Sequence, residues 1–527
     1  MYNLGMKNIV ENKVKSILEK YKYNSLLTLI IFILFLIFGY SNSNINYTVY
    51  INDEKVNFTN GIYILNNEQY IHIDDLTDVF ADNVYDDKIS GKLIITTYNN
   101  LVKINKNDDT YVIKENKASY FNLKKIMNQI GYNLVLSGDK IYISNLEYIE
   151  GEIRTNRTEL LDKQTGSVIC LLNKQDKVKI FLDNNIKDES QKVVTVEANI
   201  NGETYYGYTL KKNVIYEYET IKEVENREKV VLVKSDNKLM TNTDTKNIDM
   251  VAINMYRLSG VNTLAKLEYT NNVPNSIKVL AVINNGQKSS NYDADIVTGM
   301  LNSESNRYEI IQKIADGVKE IAGVNLDFSN FKLSDKQNYT QFVKELAAVI
   351  HMNNKILVVN IPSAQYIDVG EVVKFADYIV LQPYGARTTS SKTSGPISSI
   401  TYVEQTIQDV IAKVKDVNKL VLELPAYTIL WTERRGTVIN AEQYNMKTME
   451  AYLEENNIQA KLDSASRQNY INYTKGITTY KMWLEDEYSI TQKTELANKY
   501  NLAGVSIYRS GMEIKEIYES ISKVLKK

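Results

Sequence analysis

The stretch Ala322-Gly323-Val324-Asn325-Leu326-Asp327-Phe328-Ser329-Asn330-Phe331 decides how this chain is read. Apolar and polar residues alternate through its middle, as in a strand with one face in a core and one face toward polar groups. Successive side chains of a strand point to opposite faces, so Asn325, Asp327 and Ser329 point the same way. On either side of it, similar strand signals recur at 229–234, 248–254, 277–283, 355–361, 377–383, 419–424 and 503–508. Helical periodicity separates most of them. One helix carries Phe342, Leu346 and Ile350 behind a capping-box opening at Ser334-Asp335-Lys336-Gln337, and another carries Val403, Ile407, Ile411 and Val414. Eight strands interleaved with helices predict a (β/α)₈ TIM barrel over residues 228–527. The seventh connection, residues 425–502, is long enough to hold an inserted α+β piece walling one side of a cleft. In such barrels the functional groups sit at the C-terminal ends of the strands, which puts Asp327 and Ser329 at the mouth.

The decisive stretch resembles the fourth barrel strand of family 18 glycoside hydrolases, whose signature is D-x-x-D-x-D-x-E. The motif positions here are Ala322, Asn325, Asp327 and Ser329. The resemblance covers essentially all of 228–527 and is nearest to the spore-cortex N-acetylglucosaminidase branch. Phe328-Ser329-Asn330-Phe331-Lys332 with Tyr339 to Leu346, Leu424-Pro425-Ala426-Tyr427, Leu430-Trp431-Thr432-Glu433, Trp483-Leu484-Glu485-Asp486 and Gly504 to Arg509 carry it. The family's chemistry uses the substrate's own acetamide oxygen as nucleophile, with one inward carboxylate orienting the acetamide and the next one out donating the proton.

Carried over by position, the resemblance implies that Asp327 orients the acetamide and that Tyr384 hydrogen-bonds its oxygen. Gly385 replaces the Asp that usually follows that tyrosine, and Tyr508 replaces the tryptophan that floors the site. Ser329 stands where the proton donor belongs. A serine hydroxyl is far too weak an acid to protonate a leaving glycosidic oxygen near neutral pH. The pattern therefore implies weakened or absent hydrolysis, with binding of an N-acetyl sugar retained by Asp327, Asn325, Tyr384, Tyr508 and Trp431. Each has a plainer reading. Asp327 can end a strand through a structural hydrogen bond, the tyrosines can be wall packing among 39 of their kind, and Trp431 and Trp483 can be core. Glu423, near the end of strand seven, is the one substitute acid, if burial raises its pKa; otherwise it is a rim carboxylate paired with a nearby Lys or Arg.

The 527 residues carry a net charge of -2, which gives no argument for nucleic acid. A single cysteine, Cys170, excludes an intramolecular disulfide and reads as a buried small hydrophobe in Val168-Ile169-Cys170-Leu171-Leu172. With His72 and His351 the only histidines, a zinc site of the His/Cys type is not expected, and the chemistry calls for no cofactor.

Three further regions precede the barrel. Residues 25–40 hold an apolar run, Leu26 to Phe38 broken only by Thr28, behind Lys7, Lys13, Lys15, Lys20 and Lys22. This predicts a transmembrane signal-anchor with residues 1–24 as a cytoplasmic basic tail and the remainder extracytoplasmic; a cleaved signal peptide, giving a secreted protein, is the alternative. Residues 47–147 repeat at an offset near 50, Tyr70, Ile73 and Leu76 matching Tyr120, Leu123 and Ile126. They resemble the α+β domain named for the copper amine oxidase N-terminus, without implying copper. Residues 152–216 read as short strands with an Asn201-Gly202 hairpin turn and resemble a bacterial SH3-like domain; a plain small β-barrel fits equally. Together these features imply a membrane-anchored envelope protein. Its partners would be a cell-wall glycan bearing N-acetyl sugars or an envelope or spore-assembly protein, with weak hydrolysis as the second reading.

Overall fold

The computed structural model describes residues 47–115, 118–182, 190, 192–216, 228–239, 245–286, 293–330, 332–362 and 366–525. The apolar run at 25–40 and its basic flank lie outside them. Among the described residues no helix is long and apolar enough to cross a membrane. The chain divides into two compact units, one formed by the chain up to Gln69 with Leu134–Ile215, the other by Tyr70–Asn133 with the chain from Tyr216 onward. The boundaries expected at 47–147 and 152–216 do not coincide with this division.

In the first unit, Thr48–Ile51 runs parallel to Lys140–Ser144 and antiparallel to Glu54–Val56. A seven-stranded antiparallel sheet spans residues 148–215, with no closing pair among its described strands. Asn201 and Gly202, both at positive φ, turn Val193–Ile200 back onto Glu203–Leu210, as the Asn-Gly signal predicts. Tyr50 stacks on Tyr142 at 5.3 Å, and Phe181 and Tyr206 complete that core. Cys170 is only half-buried, on a strand whose Val168 and Leu171 are exposed, and burial raises its thiol pKa to about 11.

In the second unit the sequence repeat becomes a symmetric pair. Tyr70, Ile71 and His72 pair antiparallel with Asn122, Phe121 and Tyr120, and each strand runs straight into a helix, Ile73–Val79 or Leu123–Ile130. His72 and Asn122, one repeat apart, cap those helices by accepting from Asp74 N and Lys125 N.

The barrel strands are β1 (Val230–Ser235), β2 (Met250–Gly260), β3 (Lys278–Asn284), β4 (Gly323–Asp327), β5 (Ile356–Ile361), β6 (Tyr378–Leu381), β7 (Leu420–Pro425) and β8 (Gly504–Tyr508). Neighbours pair in parallel in chain order, and β1 closes the ring against β8. Alternation sorts the side chains: Leu232, Ala252, Leu280, Val282, Val358 and Val380 fill the interior, while Val233, Ile253, Ile283, Leu326 and Val359 pack outward under the helices. Glycine is required at the start of β4, because a Cβ on Gly323 would lie 2.1 Å from the Ile356 carbonyl oxygen.

Two helices on the barrel wall, α1 (Glu304–Gly317) and α2 (Lys336–Met352), carry the 70–133 segment. The capping box expected at Ser334 does not form. Instead the Asp335 carboxylate accepts from Lys332 N and the Thr298 hydroxyl. Arg307 on α1 is almost fully buried and donates to Asp87 at 2.9 Å and Glu345 at 3.0 Å. Lys92 and Lys103 both reach Glu304, and His351 stacks on Tyr98 at 4.0 Å while its Nε2 meets Asp377 at 2.9 Å. The seventh connection holds a five-stranded antiparallel sheet and the helix Met446–Glu455, so the inserted α+β piece is present.

Candidate functional site

The strand ends converge on a cavity of about 580 Å³ at the C-terminal mouth of the barrel. Asp327, the last residue of β4, lies at its floor and accepts a hydrogen bond from Lys234 Nζ at 2.7 Å. Lys234 ends an otherwise apolar run on β1 and is nearly fully enclosed. Burial alone would lower its pKa, but Asp327 and Glu423 outweigh it and hold the ammonium protonated well above the usual lysine range. Glu423 Oε1 lies 3.9 Å from the same ammonium.

Glu423, on β7, is fully buried beneath the floor and is absent from the cavity lining. Gln382 Nε2 donates to its Oε1 at 2.8 Å, the Tyr384 hydroxyl to the same oxygen at 2.5 Å, and Ser506 Oγ to Oε2 at 3.1 Å. It is therefore neither a rim carboxylate nor presented to the cavity as an acid. Burial, with the Glu423 carboxylate close behind, pushes the Tyr384 phenol well above its usual pKa, so Tyr384 remains a hydrogen-bonding hydroxyl.

Tyr384, Tyr508 and Tyr427 form one aromatic side of the cavity, with ring centroids 5.7 Å apart for the first pair and 6.3 Å for the second. Burial raises the Tyr427 pKa to about 12. The Lys234 ammonium sits 5.4 Å from the centre of the Tyr508 ring, a cation over an aromatic face. Ser329 also lines the cavity. Its backbone is clamped by Asn285, which accepts from Ser329 N at 2.9 Å and donates to Ser329 O at 2.7 Å. Ser329 is thus held at both its N–H and its carbonyl, and its side chain offers the cavity a hydroxyl.

Two residues expected to contact sugar do not line the cavity. Asn325 faces inward as alternation predicts, but it lies one layer deeper, fully buried and donating to Asn360 Oδ1 at 2.7 Å. Trp431 is fully buried in the inserted piece and donates to the Gly395 carbonyl at 3.0 Å, so it is core and not a platform. The sequence reading missed Lys234, Gln382, Asn254, Asn284 and Arg257. For Lys234 a signal existed: a lysine closing the run Val230-Val231-Leu232-Val233 points inward by alternation and is costly to bury without carboxylate partners. Among the described residues no group of His, Cys, Asp and Glu could hold a metal ion.

Chemically, the cavity presents a carboxylate paired with an ammonium, beside tyrosine and serine hydroxyls. An ammonium held above its usual range is a poorer acid than free lysine, and the Asp327 carboxylate is already tied to it. Residues 210–513 match the model of the glycosyl hydrolases family 18. The chain belongs to that family. The chain is similar to an uncharacterized glycosylase, YvbX, of Bacillus subtilis, 21% identical over 47% of this chain and 75% of the relative, and to the cortical fragment-lytic enzyme of the same organism, 23% identical over 40% and 52%. The chain thus spans about half the length of the second. Among solved structures, a chitinase from Chromobacterium violaceum superposes with a TM-score of 0.50 at 19% identity, covering 57% of this chain and 99% of the chitinase, a likeness of fold.

Proposed function

We propose that this family 18 chain is a disarmed glycosidase that binds a glycan of N-acetylated sugars, such as peptidoglycan, instead of cleaving it. The observation that carries the reading is Ser329, clamped by Asn285 on the cavity wall, at the residue that the family resemblance aligns with the proton donor. Asp327 and Tyr384, to which the resemblance gives the acetamide, line the same cavity, and Tyr508 and Tyr427 offer faces for a sugar ring. The cortical fragment-lytic and glycosylase relatives support an envelope glycan as ligand. The basic flank and apolar run before residue 41 support a membrane-anchored, extracytoplasmic placement, where an envelope or spore-assembly protein is a further partner. The 47–147 and 152–216 regions are proposed as wall-facing modules.

The test is product release from purified peptidoglycan by the 41–527 chain, read by mass spectrometry beside a Ser329→Glu variant. The expected outcome is sugar fragments from the variant alone. Fragments from the wild type would end the disarmed reading, and Glu423→Gln would then be the variant to examine.

A further inference from the structure

A defect in strand pairing decides which side chains of β2 reach the cavity. Met250 and Ala252 point into the barrel and Val251 and Ile253 point out. Unbroken alternation would send Asn254 and Tyr256 inward and Arg257 out. The β2–β3 register shifts between Asn254 and Tyr256: Asn254 opposes Val282, and Tyr256 opposes Ile283. The bulged residue, Met255, packs outward, and so does Tyr256, whose hydroxyl donates to the Gly317 carbonyl at 3.2 Å. The phase of the strand thereby changes, and Asn254 and Arg257, three residues apart, both line the cavity. Bulges commonly re-aim side chains in this way beside functional sites.

The charges around Arg257 are already matched. Lys234 belongs to Asp327 and Glu423, and Arg509 pairs with Asp236. Among the described residues Arg257 pairs with no carboxylate, and its Nε is buried without a hydrogen-bond acceptor. Beside it, Asn284 donates to Asn254 Oδ1 at 2.5 Å, which fixes the amides that flank the guanidinium. A planar cation with open donors in a cavity is built to receive a carboxylate through paired hydrogen bonds.

We infer that Arg257, aimed by the β2 bulge, forms an anionic subsite that recognises a carboxylate carried on an N-acetylated glycan. The inference rests on the glycan-binding reading of the same cavity and names the charge class of its ligand.

The experiment is calorimetric titration of the full chain with four tetrasaccharides. One alternates N-acetylglucosamine with N-acetylmuramic acid, the second is the same with its carboxyls amidated, the third alternates N-acetylglucosamine with glucuronic acid, and the fourth is uncharged chitotetraose. At least one acidic glycan is expected to bind about tenfold or more tightly than the two uncharged ones. The preference should fall with added salt, vanish in Arg257→Gln and persist in part in Arg257→Lys. The tighter of the two acids identifies the source of the carboxylate. Equal binding of acidic and uncharged glycans, or a preference that survives Arg257→Gln, overturns the subsite and leaves the glycan cleft standing. Binding of none of the four overturns the subsite together with the glycan reading.

Discussion

Two of the buried lysines, one in the barrel mouth and one beside the inserted sheet, sit in environments that push them in opposite directions. Lys234 faces two carboxylates, Asp327 and Glu423, and although burial opposes it, the pair holds its ammonium well above the usual range. Lys493 meets one close carboxylate, Glu485 at 2.5 Å, in a fully enclosed place, and there burial prevails and lowers it. Glu485 is correspondingly raised by burial, against Lys493, and also accepts from Ser489 Oγ and Gln468 Nε2. The two clusters therefore serve different ends. The Lys493–Glu485 pair is sealed and only structural, since neither partner touches the cavity. The Lys234 cluster is over-supplied with acid, and one of its carboxylates, Asp327, opens onto the cavity where a ligand can meet it.

The comparison breaks most visibly at Lys493. Lys493→Met is expected to cost about 3–5 kcal/mol, because it leaves Glu485 buried without a cation. Its lone carboxyl would then titrate above its unfolded value of 4.5. The loss should therefore be small below that pH and grow as pH rises through the folded value. Denaturation curves at pH 5 and 8, with a Glu485→Gln, Lys493→Met double variant as the rescue, check this. A loss independent of pH would mean that packing, not charge, holds the pair.

Lys234→Met should cost less, about 1–3 kcal/mol, since Glu423 keeps three other donors and Asp327 faces the cavity. The sign with pH is opposite at the alkaline end. A lysine raised in the fold contributes fully below its unfolded value of 10.5 and loses that contribution as pH climbs through the folded value. The gap between wild type and Lys234→Met should therefore narrow above pH 10.5, and a constant gap would contradict the assignment.

The smallest effect lies in the first unit, at Asp162. It accepts from Lys140 Nζ and from the backbone of Gln164 and Thr165. Although burial works against it, these donors lower its pKa from 3.8 to about 2. Its contribution is present above pH 3.8 and is lost as pH falls toward 2. Asp162→Asn, which keeps the turn but not the charge, should cost about 1 kcal/mol at neutral pH and flatten that acid limb in hydrogen exchange of the 148–215 sheet.

Much of the barrel was legible because alternation is a local property. The eight expected strand segments all became barrel strands, and Asp327 and Ser329 reached the mouth from one run of residues. The 70–133 repeat was legible too, though not its antiparallel pairing. For Trp431 both readings, platform and core, stood open, because an aromatic in the insertion gives no sign of which neighbours will cover it. The expected lysine partner of Glu423 is present in Lys234, but its depth was not legible, because its donors Gln382, Tyr384 and Ser506 come from two other strand ends.

From the residues alone it follows that one face of a strand carries Asp327 and Ser329 to the mouth, with a serine where the family motif ends in glutamate. Those facts depend only on residue identity and a two-residue period. Chain packing settles that Asp327 is paired with Lys234, that Glu423 lies under the floor, and that Arg257 turns into the cavity. The first two depend on which strand ends meet around a closed ring. The third depends on one unpaired residue in a register, and no single strand encodes its neighbour's register.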